Sequence, residues 1–95
     1  MIIGTAELEL RLSGCESLKD KRRILRSLLE RCRREFRVAI AEVDDQDLWG
    51  NACIGAACVS SDPRHAKSIL QHVINAFDED AEVEVVSANL RIERL

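Results

Sequence analysis

RVAIAEVDDQDLWGNACIGAACVS, residues 37–60, decides the fold. Residues 37–43 and 49–60 are short runs rich in Val, Ile and Ala, and the acidic DDQD at 44–47 separates them. Runs of that length and composition around a polar turn read as two strands of a hairpin with a loop longer than two residues. Two strands in direct succession matter because a helical pattern lies on each side of them.

Upstream, Ser17 can cap a helix, with Asp20 three residues on in a capping-box-like position. Leu18, Leu25, Leu28, Leu29, Cys32 and Phe36 then recur at helical spacing and form one apolar stripe that ends near Phe36. Downstream, Asp62 as N-cap and Pro63 at the first helical position open a second helix. Its predicted buried face is Ala66, Ile69, Leu70, Val73, Ile74 and Phe77, and the acidic DEDAE at 78–82 ends it.

The two ends of the chain complete the pattern. Gly4, Ala6, Leu8, Leu10 and Leu12 alternate with Thr5, Glu7, Glu9 and Arg11, the period of a strand with one covered and one polar face. EVEVVSANLRIERL, residues 82–95, is a last strand whose alternation is less regular, as in a bulged strand or one partly paired with another chain. The order is β-α-β-β-α-β. At 95 residues this points to one α+β domain, residues 1–95, with the ferredoxin-like two-layer sandwich: a four-stranded antiparallel sheet with both helices on one face. In that topology the end of strand one, the start of helix one, the hairpin turn and the end of helix two meet at one pole.

Composition narrows the function classes. No apolar run approaches the roughly 20 residues that span a bilayer, so no membrane role is expected. MIIGTAELEL lacks the basic and continuously apolar regions of a signal peptide, so the expected location is cytoplasmic. Cys15, Cys32, Cys53 and Cys58 contain no CxxC pair, and only His65 and His72 could join them as ligands. They read as small buried hydrophobes in a reducing compartment, with no metal or cofactor implied. The odd separation of Cys53 and Cys58 places them on opposite faces of their strand.

Charge is segregated. Residues 16–37 hold nine Lys/Arg and four Asp/Glu, a balance of +5, which leaves −8 for the rest of a chain whose net charge is −3. Lys19, Lys21, Arg22 and Arg23, in SLKDKRR at 17–23, crowd a helix N-terminus, where each exposed cation opposes the macrodipole by about 0.3–1 kcal/mol. On a helical wheel Lys19, Arg23, Arg26, Glu30 and Arg34 lie opposite the apolar stripe. Arg22 and Arg33 flank it, and Lys21 tilts towards the buried side. Glu30 stands four residues from both Arg26 and Arg34 and offsets some of their repulsion.

Two readings of this cluster follow. In one it is a brace: Asp44, Asp45 and Asp47 of the hairpin turn, with Asp78, Glu79 and Asp80, neutralise it, and Asp44 and Asp47 lie within ion-pair reach of Lys19, Lys21, Arg22 or Arg23. In the other, free N–H groups and cations form an anion site suited to an RNA backbone or an acidic protein surface. RNA stacking on the sheet is disfavoured, because the chain has no Tyr and its aromatics are Phe36, Phe77 and Trp49. Glu7 and Glu9 on the open side of strand one would also repel phosphate. A metal or acid/base role for Asp44, Asp45 and Asp47 is weaker than their reading as ordinary turn residues.

Self-association is the competing class. Strands two and three carry small or apolar residues on both faces: Val38 and Ile40 against Ala39, Ala41 and Val43, then Ala52, Ile54 and Ala56 against Cys53, Ala57 and Val59. Helices cover one face only. The other would be an apolar patch of the kind that marks an interface, and a dimer through the open sheet face is the expected assembly. Trp49, just after the turn, either packs within the hairpin or anchors a partner.

SLKDKRR, the helix after it, VAIAEVDDQDLWGNACIGAACVS and the DP before helix two together resemble the YlxP-like family of small bacterial proteins, over nearly the whole chain. The resemblance implies a ferredoxin-like fold and a domain of unknown function. Some members are encoded beside translation and ribosome-maturation genes, which implies a ribosome- or RNA-associated role. The residues that correspond to the family's polar positions are Ser17, Lys19, Asp20, Lys21, Arg22, Arg23, Glu42, Asp44, Gln46, Asp47 and Trp49. No catalytic residue or cofactor comes with the resemblance.

The expectation is therefore a non-enzymatic cytoplasmic module that binds RNA or a ribosomal particle through Lys19, Lys21, Arg22, Arg23 and Arg26, with Asp44, Gln46, Asp47 and Trp49 beside them. A homo-oligomeric interaction module is the alternative, and a small-molecule or metal-dependent enzyme comes third.

Overall fold

Strict alternation makes β1 (Ile2–Leu12) the centre of the molecule. In the computed structural model, which describes residues 1–95, Ile2, Ala6, Leu8, Leu10 and Leu12 are buried, whereas Thr5, Glu7, Glu9 and Arg11 are exposed on the opposite face. The other elements are α1 (Leu18–Phe36), β2 (Ala39–Asp44), β3 (Asn51–Ser60), α2 (Pro63–Asp78) and β4 (Val83–Arg94). The strands form one antiparallel sheet in the order β2-β3-β1-β4, so the expected β-α-β-β-α-β sandwich is the fold. Both helices lie on the face of Leu8 and Ile54, and 22 buried residues form one core between the layers.

Local chemistry sets the boundaries. The Ser17 hydroxyl accepts from the Asp20 N–H at 3.1 Å and the Asp20 carboxylate accepts from the Glu16 N–H at 3.2 Å, a reciprocal cap on α1. Its buried stripe includes Ile24, absent from the expected one, beside Leu25, Leu28 and Cys32. Leu29 and Phe36 only flank the core, where the Phe36 ring stacks on His72. Arg37 does not begin a strand: it closes α1 in the left-handed region, φ 54°, and its N–H is donated to the Arg33 carbonyl. Asp62 caps α2 and Pro63 opens it, as expected.

Close packing has one visible requirement. A Cβ on Gly4, which faces α2, would lie 2.9 Å from Leu70 Cδ1 and 3.3 Å from both Ala66 Cβ and Cys58 Sγ, so glycine lets this helix seat against β1. The irregular pattern of β4 comes from a register shift opposite Glu9 and Leu10, where Ser87 pairs with Glu9 but Val85 with Leu10. Cys53 and Cys58 do face opposite sides. Cys58 belongs to the core, whereas the Cys53 thiol donates to Glu7 on the open face at 3.4 Å. No helix is long and apolar enough to cross a membrane.

The pole forms as the topology requires. The Leu12 N–H is donated to Gly50 O and the Ser13 N–H to Glu82 O, both at 3.0 Å, which ties the end of β1 to the hairpin turn and to the segment after α2. The start of α1 joins them through its side chains.

Candidate functional site

Lys21 is the charged residue that the fold takes inside. It is 1% exposed, and its Nζ lies 2.6 Å from Glu42 Oε2, 2.6 Å from the Asp45 carbonyl and 2.6 Å from the Leu48 carbonyl. A lysine ammonium has three N–H donors, and here three oxygens surround it. That arrangement offsets the cost of removing the charge from water, which an unpaired ammonium could not bear. The Glu42 oxygen lies off the line of an aligned hydrogen bond, so this contact is an ion pair in character, while the two carbonyls are true acceptors.

The clamp shapes the hairpin turn. The Asp45 carbonyl also accepts from the Leu48 N–H at 3.0 Å, so both its lone pairs are used. Asp45 itself sits at φ 63°, a conformation that Asp tolerates better than most side chains. Its N–H is donated to the Asp44 carboxylate at 2.8 Å, and the Gln46 amide reaches the Glu42 carbonyl at 3.4 Å. Asp44 and Asp47 are exposed, and Leu48 and Trp49 stand about half exposed beside them. Trp49 is thus not a core residue of the hairpin.

The expected brace is therefore corrected in its partners. Neither Asp44 nor Asp47 forms an ion pair with any of the four cations. Glu42 holds Lys21, and Glu82 holds Arg23 at 3.3 Å, both of these last two side chains being largely exposed. Asp78, Glu79 and Asp80 form no ion pair, and Asp80 instead accepts the Glu82 N–H as a local turn. The reason lies in β2. Val38 and Ile40 face the core, so period-2 alternation sends Glu42 inward too, and a bulge between Glu42 and Asp44 then turns the chain outward. The inward tilt of Lys21 is legible on a helical wheel, and that of Glu42 in the period-2 alternation that buries Val38 and Ile40.

What remains on the outside is cationic. Lys19, Arg22, Arg23 and Arg26 are all exposed along the first turns of α1, where with Asp20, Ser27 and Glu30 they line a shallow polar depression. No ion pair within 4.0 Å involves Lys19, Arg22 or Arg26. Glu30 stands beside Arg26 without a contact ion pair to it or to Arg34, and the intrahelical pair is Arg31 with Glu35 at 3.3 Å. Farther along, Arg33 turns back to donate to the Ile40 carbonyl at 2.7 Å and fastens α1 to β2.

The remaining reactive groups are quiet. All four thiols are free and buried. Burial pushes the Cys53 thiol up to about 11, helped by its hydrogen bond to Glu7, and burial also raises Cys32 and Cys58. Such thiols are poor nucleophiles at neutral pH. No three His, Cys, Asp or Glu side chains converge in a metal-binding group.

A family described as a protein of unknown function, DUF503, matches residues 3–90. The uncharacterized protein YlxP of Bacillus subtilis (strain 168) is 37% identical over 83 residues, covering 87% of this chain and 90% of its own. Among solved structures, Rv0793 from Mycobacterium tuberculosis is similar at a TM-score of 0.44 and 15% identity, over 97% of this chain and 94% of that one.

Proposed function

Since the chain belongs to the DUF503 family, whose function is unknown, its activity has to be argued from its own surface, and we propose a non-enzymatic cytoplasmic accessory module that binds RNA, foremost in a ribosomal particle, through the outer face and first turns of α1. The observation that carries this reading is the trio Lys19, Arg22 and Arg26, exposed on neighbouring turns and tied up in no ion pair, with Asp20 and Glu30 the carboxylates beside them. Lys19 lies in the first turn of α1, where an exposed cation opposes the helix dipole, and Arg22 and Arg26 add like charge on the next turns, so a polyanion would offset both the dipole cost and their mutual repulsion. Arg23 can join them, because an exposed pair such as Arg23 with Glu82 is worth little and yields readily to a phosphate.

The binding surface has a boundary. Lys21 is withdrawn from it by burial, and Asp44 and Asp47 at the turn repel phosphate, so Gln46 and Trp49 are contacts at its rim rather than its centre. A cytoplasmic location is supported by four buried, unpaired thiols, which suit a reducing compartment.

The test is association with ribosomal RNA and with purified ribosomal subunits across a salt series. Affinity should fall steeply with salt. Arg22→Glu with Arg26→Glu should weaken binding at least about tenfold and lower the salt slope by roughly one to two, with the fold intact. Lys67→Glu on exposed α2 is the control. Absence of any salt-sensitive association in the unmodified protein would refute the reading.

A second reading, protein association through the uncovered face of the sheet, is favoured by a separate observation. Ala39, Ala41, Val43 and Val59 are exposed there, with Gly55 and Ala57 half-buried between them.

A further inference from the structure

The uncovered face divides in two. Its β2/β3 half is the apolar row just described, and its β1/β4 half carries Thr5, Glu7 and Glu9 beside Asn89 and Arg91. A shallow groove of about 660 Å³ runs across the division and is lined from both halves, with Glu7 and Arg91 on its polar side. Small side chains at its floor leave room for a second sheet at the usual face-to-face spacing of about 10 Å.

We infer that this groove is the contact between two copies of the chain, packed sheet to sheet about a two-fold axis that exchanges Glu7 of each copy with Arg91 of the other. The inference rests on the second reading above and names its partner. Three observations favour a second copy. Size is the first: strands of 11, 6, 10 and 12 residues, spaced about 4.8 Å apart and rising about 3.3 Å per residue, give a face of roughly 600 Å² in projection, near the ~800 Å² per partner of a standard interface.

Charge is the second. Glu7 forms no ion pair in its own chain and holds only the weak thiol donor of Cys53. Arg91 is held loosely, by Glu93 at 3.8 Å with both side chains largely exposed. The third is symmetry. An isologous interface must be complementary to itself, and a patch that carries an unpaired carboxylate and a loosely held guanidinium on adjacent strands, one row apart, meets that condition. Two-fold exchange then makes the same bridge twice while the apolar rows cover each other. RNA fits this face poorly, because Glu7 and Glu9 oppose phosphate and the face offers no ring for stacking.

The test is the solution mass of the full chain by light scattering and sedimentation over a concentration series, with circular dichroism as the check on folding. The unmodified chain should approach twice its 10.7 kDa mass. Ala57→Arg should yield monomer. Arg91→Glu and Glu7→Arg should each weaken the dimer at least about tenfold, and the double reversal should restore it. A mass that stays monomeric at high concentration overturns the inference and the reading beneath it, as does a dimer indifferent to Ala57→Arg. A dimer that Ala57→Arg abolishes but the double reversal fails to restore leaves the reading standing and overturns the two-fold exchange.

Discussion

Replacing Lys21 by Met keeps most of the stem's packing and removes only the ammonium, so the substitution isolates the clamp. Glu42 Oε2 would lose its cation, and the Asp45 and Leu48 carbonyls would each lose a charged donor at 2.6 Å. Removing one partner of a buried pair costs about 3–5 kcal/mol. The Glu42 side chain keeps 21% of its surface and the turn lies at the pole, so water can reach some of the orphaned oxygens, and we take about 3 kcal/mol. Against a typical stability of about 5–15 kcal/mol that is a large loss, worth roughly 12–24 °C in melting temperature for a chain of this size. Urea unfolding followed by far-ultraviolet dichroism and by fluorescence gives both the loss and its location. Trp49, the sole tryptophan, sits in the clamped turn, and its signal should change first if the turn detaches before the sheet melts. Adding Glu42→Leu should recover most of the stability, because an apolar pair in place of a buried ion pair is often neutral. A single substitution costing less than about 1 kcal/mol, or a double variant whose losses simply add, would refute the clamp.

Two further outcomes follow from the packing and the thiols. Gly4→Val should destabilise by about 1–3 kcal/mol or more, since even its Cβ meets Leu70 at 2.9 Å, and a urea midpoint equal to that of the unmodified chain would contradict the close seat of α2 on β1. The raised thiols give a pH dependence of defined sign: the native state keeps the Cys53 proton up to about 11 whereas the unfolded chain loses it near the ordinary 9.0, so stability should be full below pH 9 and fall as pH rises towards 11. Tyrosine does not confuse that window, because the chain has none. Cys53→Ala should flatten the fall, and an unchanged slope would show that burial of this thiol does not set it.

Element order was legible because each element carries its own period: alternation in β1, a 3.6-residue stripe in both helices, and an acidic turn between two apolar runs. The bulge in β4 showed itself as broken alternation at Val85, Val86 and Ser87. The partners at the pole were less legible, for a physical reason. Proximity of Asp44 and Asp47 to the cations was a sound inference from topology, but ion pairing depends on which way each side chain leaves the backbone, and one bulged residue reverses that. Glu42 was readable from the inward positions of Val38 and Ile40. The carbonyls of Asp45 and Leu48 were not, because backbone acceptors leave no trace in residue type.

The four cations at the start of α1 thus divide into different kinds of work. Lys21 is structural, Arg23 is loosely tied to Glu82, and Lys19 and Arg22, with Arg26, face solvent. This division separates the two proposed surfaces, since the cationic helix face and the uncovered sheet face lie on opposite layers of the sandwich. Association through the sheet would leave both copies of α1 outward, on opposite sides of the dimer, and would link two copies of the proposed phosphate-binding face. Avidity then predicts that the Ala57→Arg monomer binds a long RNA more weakly than the dimer while binding a short oligonucleotide equally well. Equal affinity for both lengths would mean that the helix faces act singly, and weakened binding of the short oligonucleotide would place RNA on the sheet, against the charge argument made from Glu7 and Glu9.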